Sequence, residues 1–248
     1  MTEPAPTASV LLIGNELLSG RTRDANLQYI GDRLSTRGIK ISGAHIIPDI
    51  PDVIISTLNY LRSQNTYLFT TGGIGPTHDD ITADCVAEAF GVELPIHAEA
   101  EALLLSYFQA RGIEPNEDRM RMARIPTGAT LIDNPVSAAP GFRIDNVFVM
   151  AGVPKIMQQM FDSILPTLAR GPEINSVSVA CDLGEGTIAA GLRSLQAEFP
   201  DIDIGSYPGA VTEKHKVSLV ARGTEPQRLR ILEERLKELV TSLGGSTV

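Results

Sequence analysis

Tryptophan is absent from this sequence, and aromatic residues make up only 5% of it. A surface that binds single-stranded nucleic acid by stacking needs exposed rings, so that mode has little to work with. Basic residues are also scarce: 21 Lys and Arg stand against 30 Asp and Glu, a formal net charge of -9. Duplex binding requires a concentrated positive field, and no run of Lys and Arg supplies one. No nucleic-acid partner is expected. Small anions stay admissible, because a few backbone N–H groups hold a phosphate even in an acidic protein.

Only two cysteines occur, Cys85 and Cys181, and they form no CxxC pair. That excludes a disulfide-dense scaffold and points to two buried thiols in a reducing compartment. No apolar stretch approaches the roughly 20 residues of a membrane helix. The opening MTEPAPTASV lacks a basic region followed by an apolar run. A cytoplasmic protein without membrane attachment is the expectation. His45 and His97 lack Cys or His partners at zinc spacing, and neither GxSxG nor HExxH is present.

What the sequence does contain is a regular alternation. Ser9–Ile13 reads as a buried strand and Arg21–Leu34 as a helix with Leu27, Ile30 and Leu34 on one face. Ile39–Ile47 is a second strand, and a helix opening at Pro51 carries Ile54, Leu58 and Leu61. Tyr67–Thr71 is a third strand. Helices are expected at Thr82–Phe90, at Glu99–Arg111 and from Pro154, and Glu114–Ala123 reads as either a short helix or an arm. Ala129–Ile132 and Asn146–Met150 are further strands, separated by the polar, proline-containing stretch 133–141. This order predicts an α/β fold with a mostly parallel sheet over residues 1–170. Beyond Arg170–Gly171–Pro172, residues 171–248 read as strand, helix, two strands and helix, with the last strand at Lys214–Arg222. That is a small α+β two-layer unit.

In an open parallel sheet, ligands bind beyond the carboxyl ends of the strands. Four loops fall there: Gly14–Asn15–Glu16, Gly72–Asp80 with Thr71 at the strand end before it, Asn134–Gly141 and Gly152–Val153–Pro154. In the second, Gly72, Gly73 and Gly75 permit positive φ and a nest of N–H groups for an anion. Asp79 and Asp80 precede a helix: one is expected to cap it, and the other, with Thr77 or Thr82, to hold a divalent cation or accept ligand hydrogen bonds. His78 offers either acid–base chemistry or an orienting hydrogen bond. Glu16, Asn15 and Asn26 are candidates to face the same crevice. Ser137 is placed to close over a ligand, and Gly152–Pro154 opens a helix N-terminus that favours negative charge.

Taken in order, GNELLSG at 14–20, TTGGIGPTHDDIT at 70–82, NPVSAAPGF at 134–142 and GVPKIMQQMF at 152–161 resemble the MoaB/Mog molybdopterin-binding superfamily. The likeness is closer still to the N-terminal half of the CinA proteins, the competence/damage-inducible family, and GEGTIAAGL at 184–192 and IGSYPG at 204–209 resemble its small second domain. That resemblance implies a three-layer sandwich. It implies a nucleotide pyrophosphatase acting on ADP-ribose or FAD with magnesium, manganese or cobalt and, as a further candidate, potassium. Glu16, Asp79 and Asp80 would then surround the cation. Its alternatives are a molybdopterin-binding or adenylating protein and a non-catalytic binding module. Relatives form dimers or trimers, so a homo-oligomer is expected. The family usually carries Asp after the first glycine, where this chain has Asn15, and no segment here resembles the amidase domain of full-length CinA proteins.

Overall fold

The structure, a computed structural model, describes residues 5–212 and 215–247. Met1–Pro4 and Lys214, the residue expected to open the last strand, lie outside the described residues. The chain divides into two compact units, with the boundary between Gly171 and Pro172.

The first unit runs β1 (Thr7–Ile13), α1 (Asn15–Leu18), α2 (Asn26–Ser35), β2 (Lys40–Ile47), α3 (Pro51–Gln64), β3 (Tyr67–Thr71) and α4 (Thr82–Phe90). It continues with α5 (Ala98–Ala110), α6 (Glu117–Met120), β4 (Thr130–Ile132), β5 (Gly141–Ile144), β6 (Val147–Met150) and α7 (Pro154–Ile164). The sheet order is β2-β1-β3-β6-β5-β4. The four strands from β2 to β6 are parallel, and β5 and β4 add an antiparallel end.

Successive strand residues point to opposite faces, and each face here is covered. Ala8, Val10, Leu12, Phe69, Phe148 and Met150 pack with Ile30, Leu34, Met157 and Phe161 of α2 and α7. On the other face Leu11, Ile13, Leu68, Val147 and Val149 pack with Ile54, Leu58, Val86 and Leu104 of α3, α4 and α5. The result is a three-layer α/β sandwich. Phe69 anchors one layer, its ring 5.2 Å from Phe148 and 5.3 Å from Phe161. Full burial of a side chain of that size stabilises the fold by about 1.5–3 kcal/mol.

Two differences from the sequence reading have local causes. Helix α2 starts at Asn26 rather than Arg21, because the Asp24 carboxylate accepts the N–H groups of Asn26 and Leu27, both at 3.1 Å, and fixes the helix start there. Strand β5 was not expected. It pairs with β6 through a hairpin at Asp145 and Asn146, with Asp145 in the left-handed region at φ 52°. His97 accepts the Ala100 N–H at the start of α5, a structural role.

The second unit contains β7 (Asn175–Cys181), α8 (Glu185–Glu198), β8 (Asp203–Thr212), β9 (His215–Gly223) and α9 (Pro226–Ser242). Its antiparallel sheet has the order β7-β9-β8. One sheet face, with Val179, Cys181, Leu219 and Ala221, packs on Ile188, Leu195, Leu232 and Leu236 of the two helices. Gln196 fastens the α8–β8 turn by donating to the carbonyls of Phe199 and Ile202 and accepting from the Ile204 N–H. Glu185, in the first turn of α8, accepts from the Ser206 hydroxyl at 2.9 Å.

Cys85 and Cys181 are free and buried. Burial, with Asp84 and Glu88 adding to it, pushes the Cys85 thiol up to about 11, so it remains protonated at pH 8. Neither cysteine is expected to react with an aromatic disulfide reagent at pH 8 in the native chain, and both should react after unfolding. Rapid labelling of the native chain would contradict this packing.

Candidate functional site

The carboxyl ends of β1, β2, β3 and β6 open on a cleft of about 530 Å³. Gly14 and Glu16 follow β1, Asp49 follows β2, Gly72–Thr77 with Asp79 and Asp80 follow β3, and Gly152–Pro154 follow β6. Asn134, Ser137 and Ala139 add a fifth edge.

The β3–α4 loop is shaped by contacts that only glycine permits. Gly72 has φ 103°, and a Cβ there would sit 2.1 Å from the Ile13 carbonyl oxygen. Gly73 has φ 68°, and its Cβ would sit 2.1 Å from Thr82 Oγ1. Thr82 locks the turn: its hydroxyl donates to the Gly72 carbonyl at 3.0 Å and its N–H to the Gly73 carbonyl at 2.9 Å. The loop's carbonyls are thereby used by α4, and the Gly72 N–H by the Met150 carbonyl. The N–H groups of Gly73, Ile74 and Gly75 donate to no described residue. Three consecutive donors without an acceptor among the described residues, on residues that line a cleft, are the groups from which an anion nest is built.

Neither aspartate caps α4, contrary to expectation: its N-cap is Ile81, without a side-chain hydrogen bond. The Asp80 carboxylate instead turns back to accept the Thr77 N–H at 2.8 Å and the Thr77 hydroxyl. The neighbouring Thr77 side chain, then its own backbone N–H, holds the Asp79 carboxyl below the usual carboxylate range. Among the described residues no three His, Cys, Asp or Glu side chains are grouped so as to hold a metal ion. The expected cation set Glu16, Asp79 and Asp80 therefore does not assemble. Asp80 is engaged by Thr77, and Asp79 is largely exposed.

Other expected residues fall as follows. Asn26 and Thr71 line a side cavity of about 40 Å³ rather than the main cleft. The Asn26 amide donates to the Gly152 carbonyl at 2.8 Å and approaches the Thr71 hydroxyl at 3.4 Å, tying α2 to the ends of β6 and β3. Asn15 and His78 line neither cavity. The Asn15 backbone N–H donates to Asp49 at 2.8 Å, and the His78 side chain is 96% exposed. Ser137 sits in a loop organised by Asn134, which donates to Ser137 Oγ and the Ala139 carbonyl and accepts two backbone N–H groups.

The sequence reading missed Asp49, although it follows β2 just as the other site residues follow their strands. It also missed Ile74 and Met122, which with Val153 and Ile156 give the cleft an apolar wall. Glu16, Asp49, Asp79 and Asp80 make the cleft acidic, and among the described residues no Lys or Arg lines it.

The fold and this loop arrangement define a family. Residues 9–170 match the family described as "probable molybdopterin binding domain", and the chain belongs to it. Its first unit is CinA-like: it is 31% identical to the protein CinA, of unknown function, from Thermoplasma acidophilum. That structural match has a TM-score of 0.61 and covers 66% of this chain and 98% of that one. Residues 173–243 match "FAD synthase, middle domain". A protein of Aeropyrum pernix is 32% identical over 98% of this chain and 97% of its own length. One from Metallosphaera sedula is 31% identical over 97% and 96%.

Gly72→Ala is expected to destabilise the chain more than Gly91→Ala does, measured by urea denaturation. Gly91 has φ 65° but open space around it, so Ala there costs only the left-handed strain of about 1–2 kcal/mol. At Gly72 the backbone clash with Ile13 raises the cost to about 3 kcal/mol or more. Equal losses would mean the loop does not pack on the end of β1 as described.

Proposed function

We propose that the first unit binds a phosphorylated pterin of the molybdopterin class, the phosphate resting on the N–H groups of Gly73, Ile74 and Gly75. The observation that carries this reading is the run of three backbone donors without an acceptor among the described residues, at the lining of the cleft. Such donors bind anions in proteins of either net charge. Ile74, Met122, Val153 and Ile156 offer an apolar surface to a flat ring system. Asp49, Glu16 and Asp80 offer acceptors to ring N–H and amino groups, which a pterin has in number. Membership of the molybdopterin-binding family supports the same class of ligand.

A second reading is favoured by the match of residues 173–243 to the middle domain of FAD synthase. On that reading the ligand is an adenine dinucleotide such as FAD or ADP-ribose, and its pyrophosphate is hydrolysed beside the acidic rim. Among the described residues the side chains do not form a cation cage on their own.

Titration with molybdopterin, AMP, FAD and ADP-ribose tests both readings. The first predicts saturable binding of molybdopterin, weakened by Gly75→Ala, whose Cβ would meet the Asp80 carboxylate at 2.6 Å. Circular dichroism of this variant checks that it is folded, so that a loss of binding can be assigned to the loop. Absent binding, or binding indifferent to Gly75→Ala, would overturn it. The second predicts AMP release from FAD or ADP-ribose with magnesium, manganese or cobalt, and its loss in Asp80→Ala. Equal background rates with every metal would retire it.

A further inference from the structure

The cleft poses an electrostatic problem. Four carboxylates line it and, among the described residues, no basic side chain does, yet on the proposed reading an anionic ligand group must approach the glycine loop. Backbone donors supply only partial charges, and a phosphate next to fixed carboxylates is disfavoured unless a cation compensates.

A small side cavity behind the loop brings two arginines near, Arg121 and Arg124, the second of them paired with Asp84, which lines the same cavity. Gly73, Ile74, Gly75 and Asp80 line it together with Arg121 and Met122, so it shares the loop residues with the main cleft. Arg121 lies on the arm that follows α6, a segment without clear hydrophobic periodicity. That arm is anchored on both sides. Asn116 caps α6 by accepting the Arg119 N–H at 2.9 Å, and Arg119 donates to the Glu114 carbonyl. Downstream, Ala123 is fully buried in the core, its carbonyl accepts the His97 N–H at 2.8 Å, and Arg124 pairs with Asp84. Between these anchors Arg121 and Met122 form the apex beside the loop.

Of the three arginines on the arm, two are committed. Arg119 is held by a backbone carbonyl and Arg124 by Asp84. Arg121 is of intermediate exposure, and its guanidinium makes no ion pair, hydrogen bond or ring contact with any described residue. A guanidinium without a partner among the described residues, on a segment anchored at both ends, is available to an anion, and its fork geometry suits phosphate. Arg23, at the other side cavity, is exposed, and that cavity does not include Gly73–Gly75.

We propose that Arg121 is the ligand's phosphate-pairing residue, completing from the side the site that the Gly73–Gly75 N–H groups begin. The inference rests on the cleft being the phosphate-ligand site argued above, and it adds the charge that selects phosphorylated over unphosphorylated ligands. Met122, which lines both cavities, places the arm's apex against the cleft's apolar wall.

The test is calorimetric titration of the full chain and of Arg121→Met, Arg121→Lys and Gly75→Ala with molybdopterin, AMP and adenosine. Arg121→Met should weaken the phosphate-bearing probes about tenfold or more and leave adenosine unchanged. Arg121→Lys should recover part of the loss. If Arg121→Met binds the phosphorylated probes as tightly as the unaltered chain while Gly75→Ala does not, the Arg121 assignment falls and the cleft reading survives. If the unaltered chain binds neither phosphorylated probe, both fall.

Discussion

The grip of Thr82 on the Gly72 and Gly73 carbonyls is the contact on which the site depends. It holds two glycines in left-handed conformations, lays Gly72 against the Ile13 carbonyl, and assigns the loop's acceptors to the start of α4. What remains unassigned are donors. Thr82 is itself fully buried, so the grip is shielded from competing water.

The rest of the first unit brings other groups to the same rim. The parallel strands put the residues after β1, β2, β3 and β6 side by side, and the Asn26 amide ties α2 to the ends of β3 and β6. Asn134 does the same for the loop before β5. It satisfies two backbone N–H groups and one carbonyl there, in a stretch where Ala138 adopts φ 60°. A non-glycine residue in that region stores strain that the surrounding hydrogen bonds must offset. The cleft thus has rigid walls but a negative lining, a combination that makes the sign of any nearby unpaired side chain matter.

Much of this was legible in the sequence, for reasons that differ by element. Buried parallel strands such as Val10–Ile13 are continuous apolar runs, and helices such as α3 and α7 are announced by an initial proline and an apolar stripe. The glycine loop was legible because Gly72 and Gly73 hold positive φ in places where a Cβ would clash. Strand β5 was not, because Gly141–Ile144 is short and its signal lies in the Asp145–Asn146 turn rather than in the strand itself. The aspartates were misread as a cap because two acids before a helix fit that pattern; Thr77, which actually holds Asp80, looks like any loop threonine. His78 was an attractive chemical group, but direction is a three-dimensional property, and its side chain faces solvent. Arg121 and Met122 carried no periodic or motif signal, since their position comes from anchors at Asn116, Ala123 and Arg124 that act only in the folded chain.

The central claim, that the Gly73–Gly75 amides receive the ligand's phosphate, is tested most directly by amide hydrogen exchange with and without saturating molybdopterin. The account predicts that protection on binding centres on the amides of Gly73, Ile74 and Gly75, which donate to no described residue in the free chain. Unchanged exchange at these three positions, with protection appearing only elsewhere in the chain, would contradict it.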